Sequence, residues 1–172
     1  MARAIALRQL TMGPRTRAQL EAAMARKDVP DEVMHTVLDR FEEVNLVDDE
    51  EFSRQWVRSR HVGRGLAPRA LTFELRARGV DEELVREAVA EITPQDELVA
   101  ARDLVRRKLA VTSGDDPARR TRRIASALAR KGYGAGVAYQ AIREVLGEEL
   151  DGDLEGHVHA DTRADVDGSD GV

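Results

Sequence analysis

The residues best suited to bind a ligand in this sequence are arginines, which occur in two dense blocks. In residues 54–78 seven arginines stand against one acid, a net charge of +6, and in residues 102–131 ten cationic residues stand against three acids, a net +7. The chain has 24 arginines and only three lysines. Arginine favours bidentate contacts with phosphate or carboxylate groups, although GC-rich coding would give the same bias. The two blocks therefore predict an anionic partner.

The first block surrounds the only tryptophan, in the stretch WVRSRHVGRG at residues 56–65. Cations near a helix C-terminus are also favoured by the helix dipole, and a charge run is commonly a solvated face. Because the excess recurs in a second block, we favour binding. The candidate binding residues for DNA or an acidic protein surface are Arg54, Arg58, Arg60, His61, Arg64, Arg69, Arg76, Arg78, Arg106, Arg107, Lys108, Arg119, Arg120, Arg122, Arg123, Arg130 and Lys131.

Trp56 follows Phe52 by four residues, which places both side chains on one face of a helix. Large aromatic residues in amphipathic helices are usually buried, so the spacing predicts a core anchor. Stacking on a nucleic-acid base is the alternative.

Residues that could support catalysis or hold a metal are few. The chain has no cysteine, and no glycine-rich phosphate loop follows a strand pattern. His35 lies in an acidic helical stretch and is predicted at the surface. His157 and His159 supply two ligands, too few for a structural metal site. The sequence predicts a protein that is not an enzyme, with no catalytic residue, cofactor or metal.

These residues must be positioned by helices, because one apolar pattern occurs three times. Leu20, Leu71 and Ile124 correspond at offsets of 51 and 53 residues. The same offsets align Met24 with Leu75 and Leu128, Val29 with Val80 and Tyr133, Val33 with Leu84 and Val137, and Phe41 with Ile92 and Val145. Apolar residues three and four apart predict two helices in each segment, separated by breaks at residues 27–28, Gly79 and Gly132.

A further helix precedes each pair, over residues 3–12, 49–61 and 95–111. Capping signals support these starts, among them Asp48 with Glu51 and Thr93 with Asp96. Breaks after the first helices are predicted at Gly13, Gly63 and Gly114. Thr16 with Gln19, and Asp116 before Pro117, begin second helices.

The predicted fold is all-α, with three tandem three-helix repeats over residues 1–47, 48–93 and 94–146. Since a unit of this size buries little apolar area alone, stacked repeats in an elongated, curved rod are expected. Residues 147–172 have nine acids against one arginine and no apolar period, and are predicted to form a disordered acidic tail. The charged start and the absence of an apolar run of ~18 residues predict a cytoplasmic protein without membrane contact.

The central stretch VDDEEFSRQWVRSRHVGRGLAPRALTFELRARGV resembles the signature of the RecX regulatory proteins. The shared pattern is an acidic turn, Phe-x-x-x-Trp-Val, basic residues, a glycine-rich break, and Leu-x-x-Lys/Arg-Gly before the next helix. The resemblance covers residues 1–146, and the ARKGY element of the third repeat belongs to it. Asn45 and Ser53 depart from it, at positions where glycine and alanine are common.

The resemblance implies a regulator that binds RecA and the RecA–DNA filament. A monomer is the simplest state for such a protein, and its basic faces are expected to contact single- and double-stranded DNA weakly. The resemblance also implies inhibition of recombinase, ATPase and co-protease activities, by blocking filament extension or promoting disassembly. A general helical DNA-binding protein and a helical protein scaffold are the alternatives. The acidic tail is either a solubilising segment or a competitor of DNA for the basic blocks, a salt-sensitive effect.

Overall fold

The computed structural model describes residues 1–147, in which every regular element is an α-helix. This confirms the predicted all-α fold with three helices in each repeat. The repeat boundaries, the curved rod and the monomeric state remain predictions. Of the acidic tail predicted over residues 147–172, Gly147 is the last residue of the final described helix, and residues 148–172 lie outside the described residues. The helices are α1 (Ala2–Thr11), α2 (Arg17–Ala25), α3 (Asp31–Glu43), α4 (Asp49–Arg64), α5 (Pro68–Arg76), α6 (Glu82–Ala90), α7 (Pro94–Val111), α8 (Pro117–Arg130) and α9 (135–147).

Polar side chains begin several helices at the predicted positions. Thr16 and Gln19 form a reciprocal capping box at the start of α2. Thr93 and Asp96 exchange the same pair of bonds before α7, each at 3.1 Å. At α4 and α8 an aspartate side chain caps the helix by accepting a backbone hydrogen bond. These bonds satisfy backbone N–H groups that have no partner inside the helix.

The predicted break at Gly63 is wrong, because α4 continues through this residue to Arg64. The helix ends instead at Gly65, whose φ of 60° lies in the left-handed region that glycine adopts without steric cost. The Gly65 N–H donates to the His61 carbonyl at 2.9 Å and satisfies one of the last carbonyls of the helix. The extra turn extends α4 three residues beyond its predicted end.

The turn between the second and third helix of each repeat uses one equivalent residue with a positive φ. Asp28, Gly79 and Gly132 have φ values of 55°, 73° and 90°, and they occupy the aligned breaks predicted from the sequence. Asn45 also has a positive φ, 54°. Asparagine tolerates this conformation better than most residues other than glycine.

The aligned apolar positions form the cores of the repeats, with one systematic shift. The first three aligned positions are buried in all three repeats. At the fourth position Val33 is exposed and Leu84 is half-buried, whereas the following residues Met34, Val85 and Ala138 are buried. Apolar spacing alone places two adjacent positions near the core, and packing selects the second.

The chain divides into two compact units. The first comprises Met1–Glu97 with Lys131–Tyr133, and it contains separate apolar clusters for α1–α3 and α4–α6. The second comprises Leu98–Arg130 and the described residues from Gly134 onward, with buried apolar residues from α7, α8 and α9. Within residues 1–147, no helix is both long enough and apolar enough to cross a membrane.

Inside the first unit, two hydrogen bonds to backbone carbonyls join equivalent positions of successive repeats. The Thr16 hydroxyl donates to the Arg78 carbonyl at 2.7 Å, and the Ala67 N–H donates to the Lys131 carbonyl at 2.9 Å. Thr16 and Ala67 are 51 residues apart, and Arg78 and Lys131 are 53 apart, which are the repeat offsets. In each case the N-cap of a second helix meets the turn of the following repeat.

Glycine is required at these contacts because two backbone segments of the protein approach each other closely. A Cβ atom at Gly79 would lie 2.5 Å from the Cβ of Ala18, and one at Gly132 would lie 2.7 Å from the Cβ of Ala70. Neither approach is possible without a shift of the backbone, so the glycines serve both the turn and the junction.

Candidate functional site

Trp56 anchors the first basic block to the core of the second repeat. Its ring stacks on Phe52 with centroids 5.6 Å apart and an interplanar angle of 17°, and it is half-buried against the α4–α6 cluster. The indole Nε1 donates to Glu74 Oε2 at 2.7 Å. The predicted packing of Trp56 against the core is therefore confirmed. With its ring in these contacts, Trp56 is unsuited to stack on a base.

Two predicted binding residues, Arg60 and Arg78, lie against the same indole ring. Their guanidinium carbons are 4.2 Å and 3.7 Å from the ring centroid, within cation–π range. Arg78 also donates to the Glu74 carbonyl at 2.8 Å. Burial lowers the pKa of Arg78, and the positive charge of Arg60 lowers it further, while Glu74 opposes the shift. We call Trp56, Arg60, Glu74 and Arg78 the tryptophan cluster.

Two further arginines of the first block are paired within the protein. Arg54 contacts Glu50 at 2.5 Å and Glu91 at 3.2 Å. Arg76 forms a two-pronged pair with Glu82, which raises the pKa of the guanidinium. All of these carboxylates belong to the first unit. Two of the seven arginines in residues 54–78 are therefore neutralised by acids of the same fold.

The remaining cations of the block are Arg58, Arg64 and Arg69, whose side chains are exposed. Within residues 1–147, none of the three makes an ion pair. His61 is different, because its Nδ1 lies 2.9 Å from the Leu66 carbonyl, a contact that requires a proton on Nδ1. It secures the end of α4. We call Arg58, Arg64 and Arg69 the second-repeat arginines.

A cleft of about 410 Å³ in the second unit gathers the cations of the second block. The end of α7 and one side of α8 form it, and α8 contains five arginines and no acid. We call it the basic cleft. Its lining residues are Lys108, Val111, Thr112, Arg119, Arg122, Arg123, Ile124, Ser126, Ala127 and Arg130.

The cleft cations have few anionic partners. Arg123 pairs with Asp115 at 2.6 Å. The side chains of Arg119, Arg122 and Arg130 are exposed and make no ion pair among the residues that the structure describes. Such an arrangement can donate many charge-assisted hydrogen bonds to an anion.

The other candidates of the second block lie outside the cleft lining. Arg106 pairs with an acid one turn earlier in α7, Arg107 is exposed, and Arg120 is half-buried and engaged within the protein. Lys131 donates to the Arg64 carbonyl at 2.8 Å in the first unit. The structure therefore brings together only part of the predicted set.

Three polar residues of these sites were not among the binding residues predicted from the sequence. Thr112 and Ser126 line the basic cleft, and Glu74 is the partner of Trp56. Ser126 stands four residues from both Arg122 and Arg130, a helical spacing that places it on their face. That signal was present in the sequence, whereas the pairing of Glu74 depends on two different helices.

Three family models match the chain in order. They describe the first, second and third three-helix domains of RecX and cover residues 2–41, 48–89 and 95–142. Among crystal structures, RecX from Lactobacillus salivarius superposes with a TM-score of 0.75 at 19% identity, covering 84% of this chain and 94% of that one. A second crystal structure, of regulatory protein RecX, superposes with a TM-score of 0.74 at 22% identity, covering 83% and 71%. At these identities the structures show the fold.

Curated relatives are more similar in sequence. Regulatory protein RecX of Thermobifida fusca (strain YX) is 57% identical over 148 residues, covering 86% of this chain and 80% of the relative. Regulatory protein RecX of Streptomyces coelicolor is 51% identical over 148 residues, covering 86% and 79%. Together with the three domain matches, this similarity shows that the chain belongs to the RecX family of regulatory proteins.

Proposed function

We propose that the protein binds RecA and its nucleoprotein filament on DNA and inhibits the recombinase, ATPase and co-protease activities, by blocking filament extension or promoting disassembly. The observation that carries this proposal is the ordered match of all three RecX domains along one chain. A partner of this kind acts on chromosomal DNA, so we expect a cytoplasmic protein, and a monomer is the simplest state for it.

The second-repeat arginines are the part of the first basic block that is available to such a partner. Arg58, Arg64 and Arg69 are exposed and free of ion pairs within residues 1–147, so an approaching anionic surface need not displace an internal acid. Arg60 and Arg78 are committed to the indole ring. We therefore expect the free arginines to attract the filament and the committed ones to support the fold. Attraction of this kind weakens with salt.

The test is the ATPase rate of preformed RecA filaments on single-stranded DNA as the protein is titrated in. We expect the rate to fall. If the ATPase rate falls when the protein concentration is well below that of RecA, the protein acts at filament ends. If the rate falls only when the two concentrations are nearly equal, the protein coats the filament or captures free RecA. An unchanged rate with a cognate RecA and a folded sample would overturn the proposal.

Two variants of matched charge refine the test. The first replaces the second-repeat arginines by Arg58→Gln, Arg64→Gln and Arg69→Gln. The control variant makes the same change in net charge with Arg3→Gln, Arg8→Gln and Arg26→Gln, three exposed positions of the first repeat. We expect the first variant to need about tenfold more protein for half-inhibition, since rim charges act mainly on association. Equal inhibition by both variants would remove the second-repeat arginines from the interface.

A DNA-binding protein without a RecA partner is the second candidate, and the arginine-lined basic cleft favours it. A sequence-specific regulator should select one duplex over random DNA by a large ratio at physiological salt. Binding to duplex DNA that is strong, selective and independent of RecA would favour this candidate. A pure scaffold would bind its protein partner with no dependence on DNA.

A further inference from the structure

We infer that a small apolar cleft in the first unit binds Phe73 of a second copy of this chain, so that copies associate head to tail. This contact differs from those of the proposed function, because it joins two copies of the protein rather than the protein and RecA or DNA. Three properties of the first unit support it: the size of the cleft, the charge around the cleft, and the exposure of one phenylalanine.

The cleft is formed by α1, by the turns that follow α1 and α3, and by the start of α4, all within the first unit. Its volume is about 160 Å³, and its apolar lining comes from Leu10, Pro14, Leu46 and Phe52. Apolar cavities of about 150 Å³ are large enough to bind benzene, which has the size of a phenylalanine ring. The cleft can therefore receive one large apolar side chain. We call it the apolar cleft.

The rim of the apolar cleft is acidic. Asp48 and Glu51 line it, and both side chains are exposed and make no ion pair within residues 1–147. Arg15 also lines the cleft without pairing with either acid, so the charged lining residues sum to −1. Its Nε is buried and has no hydrogen-bond partner among the described residues. The two exposed acids favour a partner that carries a cation beside its apolar side chain.

Phe73 has the complementary properties. It is 74% exposed in α5, whereas the other two phenylalanines of the chain, Phe41 and Phe52, are buried. Arg69 stands four residues earlier on the same face of α5, is exposed and makes no ion pair within residues 1–147. Arg76, three residues after Phe73, is already paired with an acid. A single exposed apolar residue is common on protein surfaces, but a phenylalanine beside a free arginine matches both the size and the charge of the apolar cleft.

Both halves of this match belong to one chain, which makes a second copy the partner that the structure supports. Phe73 does not fill the cleft of its own molecule, since its side chain is exposed and is not part of the cleft lining. Each copy therefore offers Phe73 to one neighbour and the apolar cleft to another. Because the two contacting patches differ, the contact produces a head-to-tail series rather than a two-fold dimer.

One inserted side chain makes a weak contact. Stable interfaces bury about 1,200–2,000 Å², whereas one aromatic side chain buries about 150–250 Å². The free protein therefore remains largely monomeric at low concentration. If a filament holds several copies close together, their effective concentration rises to the order of 1 mM and the contact is populated. This consequence rests on the proposed function, whereas the contact itself does not.

Sedimentation equilibrium of the full chain, at concentrations up to about 1 mM and at physiological salt, tests the contact. We expect the average mass to rise with concentration. The Phe73→Ser variant should associate about tenfold more weakly or worse, since a buried anchor residue dominates a contact of this kind. Its control is Tyr139→Ser, which removes an aromatic residue of similar exposure, 69%, from α9 and should associate like the wild type. Circular dichroism should show equal helicity in all samples.

A second pair of variants tests the acidic rim. The rim variant carries Asp48→Asn and Glu51→Gln, and the start of α4 is kept because asparagine caps a helix about as well as aspartate. The control variant makes the same change in net charge with Glu32→Gln and Glu87→Gln, two exposed positions without ion pairs in the described part of the chain. We expect the rim variant to associate roughly two- to fivefold more weakly, as for the loss of partly exposed charge pairs. The control should associate no more weakly than the wild type.

Cysteine cross-linking identifies the two patches that meet, because the chain has no cysteine of its own. One preparation carries Gln55→Cys at the apolar cleft, and another carries Ala77→Cys, one helical turn after Phe73. Oxidation of the mixture should give more mixed dimer than the two self-pairs combined, an excess that random pairing does not produce. Adding Phe73→Ser to the Ala77→Cys chain should remove the excess.

A wild-type mass that does not rise with concentration would overturn the inference. Unchanged association of the Phe73→Ser variant, or a cross-linked mixture at the random ratio, would overturn it as well. If the wild type stays monomeric while the Phe73→Ser variant loses inhibition of the RecA ATPase, Phe73 contacts the filament instead of a second copy. If the wild type stays monomeric and the ATPase still falls, the inference is wrong and the proposed function stands. If association follows the expected pattern and the ATPase is never inhibited, the contact between copies stands and the proposed function is wrong.

Discussion

The tryptophan cluster and the basic cleft show two different uses of arginine in one chain. In the cluster, Arg60 and Arg78 lie against an indole ring, and Arg78 also donates to a backbone carbonyl. In the cleft, Arg122 and Arg130 are exposed and lie beside other cations. The sequence density of arginine is similar in both blocks. The difference lies in the partners that the fold provides.

This difference has an energetic consequence. A guanidinium that contacts a ring and a carbonyl stabilises the folded chain, and its removal takes a hydrogen bond from the carbonyl and uncovers a face of the ring. The cleft cations that make no ion pair among the described residues, Arg119, Arg122 and Arg130, lie close to like charges, and the repulsion between them does not stabilise the fold. We therefore expect substitutions in the cluster to lower stability, and substitutions in the cleft to lower binding while leaving stability unchanged or slightly higher.

The largest expected effect is that of Trp56→Ala. It removes a half-buried indole that stacks on Phe52 and donates to Glu74, and we expect the free energy of unfolding to fall by about 2–4 kcal/mol, somewhat below the usual cost for a fully buried aromatic residue. Urea denaturation followed by circular dichroism measures the change. Trp56→Phe is the matched control, since it keeps an aromatic ring and should recover more than half of the loss. A loss below about 1 kcal/mol for Trp56→Ala would show that the ring does not anchor the repeat.

The sequence was sufficient to predict the helices and the repeat because both depend on local spacing. Leu20, Leu71 and Ile124 are buried as the aligned pattern requires. The end of α4 was misplaced because two glycines lie close together, and only the backbone conformation shows that Gly65 rather than Gly63 ends the helix.

The candidate site was less predictable because it depends on which acidic side chain contacts which arginine or tryptophan in the folded protein. Arg54 meets Glu91 across 37 residues of sequence, and the indole of Trp56 meets Glu74 across 18. Charge counts cannot distinguish such paired arginines from free ones. The set of binding residues predicted from charge therefore included Arg54, which is paired, and left out Ser126, which lines the cleft.

A sharper test of the comparison is one substitution made in both regions. Arg78→Met keeps an unbranched, flexible side chain but removes the cation over the indole and the bond to the Glu74 carbonyl, so we expect a loss of about 1–2 kcal/mol. Arg122→Met in the cleft should change stability by less than about 0.5 kcal/mol, as is usual for exposed positions. Thermal and urea unfolding of both variants measure the difference. Equal losses of stability in the two variants would mean that the partners of Arg78 do not make it more important for the fold than Arg122.

A smaller effect isolates the carboxylate of the tryptophan cluster. Glu74→Gln keeps an oxygen that can accept from the Trp56 indole but removes the negative charge near Arg78. Because hydrogen bonds to charged groups are stronger than neutral ones, we expect a loss of about 0.5–1 kcal/mol. Glu74→Leu removes the acceptor as well and should cost more. Equal stability of Glu74→Gln and the wild type would indicate that the charge of Glu74 is irrelevant to the cluster.

The smallest effect concerns Arg76 and Glu82, which are paired like the cluster but exposed like the cleft. The hydrogen bond from Arg76 holds the pKa of the Glu82 carboxyl below its usual range. A carboxyl with a folded pKa below its unfolded pKa contributes stability above the unfolded value, and this contribution is lost as the pH falls through the folded pKa. Solvent screens an exposed pair, so the contribution should be slight. NMR titration of Glu82 should show the low pKa, and Arg76→Gln or high salt should return it towards the ordinary value. If the pKa of Glu82 stays low in Arg76→Gln, the pairing with Arg76 is not the cause of the low pKa. The exposure of an arginine, rather than its pairing with an acid, would then distinguish the arginines that support the fold from those that bind a partner.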